Sequence, residues 1–289
     1  MKTSTTIFGI AISLALGSLI ILAGSQGSVT YQGLALFALC GSIGFILHWL
    51  IFIPSYTFQT EHYFDLTGSI SYIATVSAAI YLNPQLNIRD IIICAMIVIW
   101  ALRLGSFLFG RIKKDGKDKR FTVMKTKFTW FLMTWTLGGL WVLVTMAAGL
   151  AAITSDTTVP LGGLAYTGVL LWVAGMVIEV MADTQKTNFR KISENRDRFI
   201  TSGIWAWSRH PNYFGEITLW LGLSLVAVPV LEGWQLVTMI SPIFVYLLLT
   251  KVSGIPMLED MARKKWGSDP EFIAYTKSTP ALMLRKPRI

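Results

Sequence analysis

WFLMTWTLGGLWVLVTMAAGLAAI, Trp130 to Ile153, contains no charged side chain. About 20 consecutive apolar residues are enough to cross the hydrocarbon core of a bilayer as a helix. Similar runs flank this stretch on both sides. Towards the N-terminus lie Ile91 to Gly110, with Arg103 inside its length, then the shorter and more polar Thr67 to Leu82, then Leu34 to Pro54 and Ile7 to Gly24. Towards the C-terminus lie Leu161 to Ala182 and Ile217 to Thr250. The last run is too long for one span, and Pro229, Glu232 and Gly233 break it into a tight helical hairpin. Lipid offers no hydrogen bonds to the backbone, so these runs are helices, and the alternating pattern of a membrane barrel is absent. The fold class is therefore all-α: a polytopic transmembrane bundle of about seven spans, read as a single domain over residues 1–289.

Composition agrees. Hydrophobic residues make up 53% of the 289 and charged residues 14%, against roughly a quarter charged in soluble domains. No sizeable water-soluble domain fits such a chain. The net charge of +9 is concentrated in Arg111 to Lys127, Lys186 to Arg209 and the tail from Arg263, whereas Gly24 to Gly33 carries no charge and Thr154 to Pro160 only Asp156. Alternating crossings place all three basic segments on one side, which the positive-inside rule makes cytoplasmic, C-terminus included. The expected location is a bacterial inner membrane. The cations then meet membrane lipids rather than nucleic acid, since basic and aromatic residues are not interleaved. Met1–Lys2, an apolar run and Ala23–Gly24–Ser25 resemble a secretory signal, but we read a retained first helix. Cys40 and Cys94 fall in apolar runs and are assigned to packing; no metal-ligand spacing involves them or His48, His62 and His210.

Ionisable groups in or beside spans are functional candidates by default. The richest stretch is Ser202 to Glu216, SGIWAWSRHPNYFGE. Arg209 offers a planar fork for phosphate or carboxylate, and His210, Asn212 and Tyr213 add donors and acceptors of differing reach. Pro211 starts a helix, Gly215 permits close approach, and Glu216 enters the bilayer edge. A second group, Glu179, Asp183, Lys186 and Arg190, has spacings of four, three and four that align it on one helix face. It reads equally as a salt-bridge ladder or a cofactor wall, with acids for ribose hydroxyls or an amide and bases for phosphate. A third is Glu61, His62, Tyr63 and Asp65, facing Arg103 of the next span, either as an ion pair or as a general acid. A P-loop and a strand-to-helix GxGxxG are both absent, so a Rossmann-type site has no support.

TSGIWAWSRHPNYFGE from Thr201 to Glu216, followed by the apolar hairpin, resembles the C-terminal region of the steroid 5-alpha-reductase superfamily, most closely its bacterial branch. WALRLG at Trp100 to Gly105, DKR at Asp118 to Arg120, and VSGIPMLED at Val252 to Asp260 resemble that branch too, so the likeness covers about residues 55–280. Sterol reductases and isoprenylcysteine carboxyl methyltransferases share looser forms of the C-terminal motif.

The resemblance implies a bundle of about seven spans holding NADPH in a cavity open to the cytoplasm. By position Asp183 and Arg190 resemble the family's cofactor-binding residues, Asn212 and Glu216 match the motif's cofactor contacts, and Glu179 and Lys251 stand where the animal enzymes have an asparagine and, nearby, an arginine; with Lys186, Arg209, His210, Tyr213 and Arg120 from the residue reading, these are the candidate cofactor-binding residues. The family's substrate-holding glutamate aligns with Asp65, near Tyr63, and its tyrosine with Trp100, which donates a hydrogen bond but is no acid. The leading expectation is an NADPH-dependent reductase of a C=C bond conjugated to a carbonyl in a steroid-like or other lipid-like small-molecule substrate, with Asp65 and Tyr63 as the catalytic pair. One alternative is an S-adenosylmethionine-dependent methyltransferase of a membrane lipid or isoprenoid. The other is a non-enzymatic lipid-binding membrane protein, for which Trp100 is the main argument.

Overall fold

The computed structural model describes residues 2–115 and 121–287. It is almost wholly helical: α1 (Thr3–Ser25), α2 (Leu36–Thr57), α3 (Phe64–Leu82), α4 (Ile88–Asp115), α5 (Phe128–Ile153), α6 (Gly163–Lys191), α7 (Pro211–Ala227), α8 (Ile240–Leu247), α9 (Ile255–Trp266) and α10 (Pro270–Ser278). Among the described residues seven helical segments are long and apolar enough to cross a membrane. α3 is not one of them. Its buried residues include Thr67, Ser69, Ser71 and Thr75, and Ser69 meets α4 closely: a methyl at Gly105 of α4 would lie 2.5 Å from Ser69 Oγ. The protein is thus an integral, multi-pass membrane protein.

The chain forms two compact units, residues 1–165 with 223–241, and residues 166–222 with 242–289. In the first, α5 is the axis. Every residue from Val142 to Ile153 is buried, so the stretch that decides the fold is surrounded by α1 to α4 rather than by lipid. Gly139 makes this possible, since a methyl there would meet Phe45 Cα at 2.9 Å. At one end Phe52, Phe121, Phe131 and Trp135 form an aromatic cluster.

At the other end Arg89 is 1% exposed, and its guanidinium donates to the carbonyls of Val226, Val159 and Pro160. This arginine lies just outside the run that marked α4 in the sequence, and it satisfies carbonyls that end α7 and precede α6. The uncharged segment after α1 also holds a small antiparallel hairpin, Thr30–Tyr31 with Leu34–Ala35. Its turn residues Gln32 and Gly33 have φ of 51° and 81°, the left-handed pair that a two-residue hairpin requires. Two-residue strands are too short for their alternation to be read from sequence.

The break in the last apolar run falls where the sequence placed it. α7 ends in a short 3-10 turn, Val228–Val230, and a second 3-10 segment, Gly233–Met239, leads into α8. Glu232 caps the second segment reciprocally with Gln235.

Candidate functional site

In the second unit α6 presents Glu179, Asp183, Lys186 and Arg190 along one face, with a gradient of depth the sequence did not show. Glu179 is 2% exposed and Asp183 9%, Lys186 is half-buried and Arg190 exposed. The acids are buried and the bases lie nearer the surface.

α7 crosses α6 beside these acids at backbone contact. A methyl at Gly215 would lie 2.6 Å from the Gly175 carbonyl oxygen and 2.7 Å from the Glu179 nitrogen; one at Gly222 would lie 2.5 Å from the Gly168 oxygen. Two helices this close admit no Cβ at the crossing. The group that Gly215 admits is therefore the α6 backbone. The consequence is positional: Glu179 sits against the first turns of α7, where Asn212, Tyr213 and Glu216 are half-buried.

The turn before α7 folds back onto α6. Trp205 Nε1 donates to the Ala182 carbonyl at 3.0 Å, the Ile204 N–H donates to Gln185 Oε1 at 3.0 Å, and Lys186 Nζ lies 4.4 Å from the Trp205 ring centroid. Gly203 has a φ of 61°, and a methyl on it would overlap Gln185, so the glycine of the SGIW motif is required twice over.

Arg209 and His210 converge on one carboxylate. Arg209 Nε and His210 Nε2 both lie 2.9 Å from Glu259 Oε1. Arg209 Nη1 also donates to the carbonyls of Thr276 and Thr279 at 2.5 and 3.0 Å, and the Arg209 N–H to the Pro280 carbonyl. The last carbonyls of α10 are thereby satisfied by a cation, which also suits the helix dipole. Sequence reasoning gave Arg209 a phosphate or a carboxylate to hold; in the structure its fork meets the Glu259 carboxylate and the end of α10. His210 stacks on Tyr213, with ring centroids 5.6 Å apart and an interplanar angle of 9°. Burial pushes the imidazole below its ordinary pKa of 6.5; Glu259 pulls it back in part, and Lys186 and Arg209 lower it further. Lys251 sits exposed in a single π-helical turn, Leu248–Val252. That turn closes on Gly254, where a methyl would lie 2.9 Å from Tyr213 Cε2.

The remaining candidates belong to the first unit. Glu61 is buried and accepts from Lys125 Nζ at 2.6 Å. Asp65, in the first turn of α3, has a side chain 19% exposed and lies 3.9 Å from Arg111 Nη2. Arg103 lies 5.4 Å from the Phe107 ring centroid. Tyr63 lines a cavity against α2 that Asp65 does not line, as expected for residues two apart near a helix start. Trp100 is 1% exposed and meets Tyr72 edge-on at 5.2 Å. Tyr72 is seven residues from Asp65 and shares its helix face. Arg120 lies outside the described residues.

Sequence reasoning missed Glu259, Gln185 and Tyr72. Glu259 stood inside the quoted VSGIPMLED motif, and an acid distant in sequence from Arg209–His210 was its only trace.

With this geometry in hand, residues 51–279 match a family described as "Protein of unknown function (DUF1295)". The chain belongs to that family. It falls within the steroid 5-alpha-reductase superfamily, as the TSGIWAWSRHPNYFGE stretch led us to expect. It is 34% identical to 3-oxo-5-alpha-steroid 4-dehydrogenase 1 of Bos taurus over 68 residues, 24% of this chain and 26% of the bovine protein. With the Mus musculus protein of the same name it shares 36% over 61 residues, 21% of this chain and 24% of that one. The chain thus spans about a quarter of the length of the curated relatives it matches. No solved structure matches it significantly.

Proposed function

We propose that this protein is an NADPH-dependent membrane reductase acting on a C=C bond conjugated to a carbonyl in a lipid-like substrate. The supporting observation is the graded polar wall of the second unit, with Glu179 and Asp183 buried where α6 leaves its apolar stretch and Lys186 and Arg190 outside them. A phosphorylated dinucleotide needs acceptors for ribose hydroxyls and an amide, and cations for its phosphates. Glu179, Asp183 and Glu216 supply the first and Lys186, Arg190 and Lys251 the second, with Asn212 able to do either. Arg209, His210 and Glu259 hold the C-terminal helices beside this wall, and Tyr213 packs between His210 and Gly254. Arg209 and His210 thus contribute by positioning.

When bound, NADPH supplies the hydride. The chain's own task is to place the two reactants in line and to polarise the substrate carbonyl. Asp65 is the proposed group at the carbonyl, with a phenol from Tyr63 or Tyr72 beside it; Tyr72 is favoured because it shares the Asp65 face and adjoins Trp100. The relatives are named for the 4-dehydrogenation of a 3-oxo-5-alpha-steroid, the reverse of which reduces a conjugated enone in a flat lipid that suits entry from the bilayer. In this reading the basic segments and the C-terminus are cytoplasmic, in a bacterial inner membrane.

The test is isotope transfer. Purified protein with NADPH deuterated at the transferred position and a short panel of enone lipids should yield product deuterated at the β-carbon. Deuterated NADPH left unconsumed and unchanged lipid throughout the panel, with cofactor binding demonstrated, would contradict the reduction. Methylated lipid formed with S-adenosylmethionine would replace it.

A further inference from the structure

α9 follows the last apolar run without a linker. That run ends in the π-helical turn Leu248–Val252, Gly254 turns the chain with a ψ of −95°, and Pro256 opens the new helix. Five of the twelve residues of α9 are charged, namely Glu259, Asp260, Arg263, Lys264 and Lys265, which is too many for a helix within lipid. Its start nevertheless stays near the bilayer, because the three steps from Val252 to Ile255 reach about 10 Å at full extension.

The two faces of α9 differ in kind. The inner face is fixed to the rest of the second unit: Glu259 receives Arg209 and His210, and the Trp266 ring meets Phe199 and Phe272 with centroids 5.6 and 6.1 Å apart. The outer face carries Met257, Met261, Lys264 and Lys265, whose spacings of four, three and one set them within about 100° of arc. The methionines are 41% and 54% exposed and occupy the middle of that arc, with a lysine on either side. Lys251 in the preceding turn and Arg263 are exposed as well. An apolar strip flanked by cations is the pattern of a helix lying in a bilayer interface, where lysine stems run along the strip to the headgroups. Lys264 meets Asp260 at 2.6 Å and Lys265 meets Asp197 at 2.9 Å. Pairs this exposed are weak, and each ammonium keeps two further donors.

We propose that α9 docks on the bilayer surface through this face, with Met257 and Met261 in the acyl boundary and Lys264 and Lys265 on the phosphates of anionic phospholipids. A zwitterionic surface would accept the methionines but offer the lysines no net opposite charge. The docking stands apart from the reductase reading, because its readout is the depth of α9 and not cofactor or turnover.

Electron paramagnetic resonance on the full chain tests it. With Cys40 and Cys94 replaced by alanine, a single spin label is attached through Met257→Cys, Met261→Cys or, on the water side, Arg263→Cys; all three positions are exposed, so the labels leave the packing intact. The protein is placed in nanodiscs of phosphatidylcholine, with or without phosphatidylglycerol. In discs that contain phosphatidylglycerol, oxygen dissolved in the lipid should reach the labels at Met257 and Met261, and a water-soluble nickel chelate the label at Arg263. Lys264→Gln with Lys265→Gln should lower the ratio of inserted to withdrawn label at Met261 by about 30-fold, about five-fold for each lysine near an anionic surface. Chelate access at Met257 and Met261 equal to that at Arg263, in protein that is monodisperse and helical, would overturn the docking. Equal insertion in the two kinds of disc, or insertion untouched by the lysine substitutions, would overturn the anionic partner.

Discussion

Gly215→Ala places one methyl group where α6 and α7 touch. Its carbon would lie 2.6 Å from the Gly175 oxygen and 2.7 Å from the Glu179 nitrogen, both backbone atoms that no rotamer change can move. Restoring an ordinary contact of 3.4 Å requires the helices to part by about 0.8 Å at that point. Overpacking of this kind destabilises by about 1–3 kcal/mol, which corresponds to a fall in Tm of about 2–12 °C. The displacement falls on the turn of α6 that carries Glu179, one residue from Glu216. A site must hold its groups to about 0.5 Å, and errors near 1 Å weaken function by about 100-fold. Gly222→Ala meets an equally tight contact, 2.5 Å from the Gly168 oxygen, two turns further from the polar wall. The two variants should lose similar stability, but NADPH affinity should fall far more in Gly215→Ala. Thermal unfolding and equilibrium cofactor titration in detergent measure both. An unchanged Tm in Gly215→Ala would refute the backbone contact, and equal loss of affinity in both variants would refute the placement of the site.

Glu259→Gln removes the carboxylate shared by Arg209 and His210 and should destabilise by about 1.5–3 kcal/mol, as expected for charge-assisted bonds that are mostly buried; limited proteolysis should then cut the chain beyond Ser253, and a wild-type cleavage pattern would contradict this. His210 also makes stability depend on pH. Its folded pKa lies below 6.5 because of burial, so below that pH the unfolded chain binds more protons, and stability should fall as pH drops from 6.5 toward the folded value. A Tm series between pH 5 and 7 should show this slope in wild type and a shallower one in His210→Asn; an unchanged slope would assign it elsewhere. In the first unit, Asp65→Ala and Tyr72→Phe should lower turnover with NADPH binding intact, and Tyr63→Phe should do so less. The reverse order for the tyrosines would restore Tyr63 to the catalytic pair.

The spans were legible because their signal is composition over about 20 residues, which tertiary packing does not alter. α3 was legible as a helix but not as a clear membrane crossing, because its serines and threonines are read as polar by any hydropathy measure and are buried against neighbouring helices in the fold. Arg89 was invisible for the complementary reason: one charge at the end of an apolar run looks like a boundary, and only the fold brings three carbonyls to it. At the polar wall, the helical spacing of Glu179, Asp183, Lys186 and Arg190 gave the shared face but not the depth of each residue. Arg209 was legible as important, with its partner left open. Its chemistry suits phosphate and carboxylate alike, and what decides between them is Glu259, fifty positions on in sequence.

Cofactor binding by the second unit's polar wall is the central claim, and ligand-dependent thermal unfolding tests it most directly. A cofactor at 100 times its Kd stabilises by about 2.7 kcal/mol, a rise in Tm of about 5–10 °C. NADPH should produce this rise in wild type and S-adenosylmethionine should not. Asp183→Asn should weaken NADPH binding by about ten- to a hundred-fold, as the loss of a buried charged acceptor requires. A rise with S-adenosylmethionine alone, or an NADPH shift untouched by Asp183→Asn, would contradict the account.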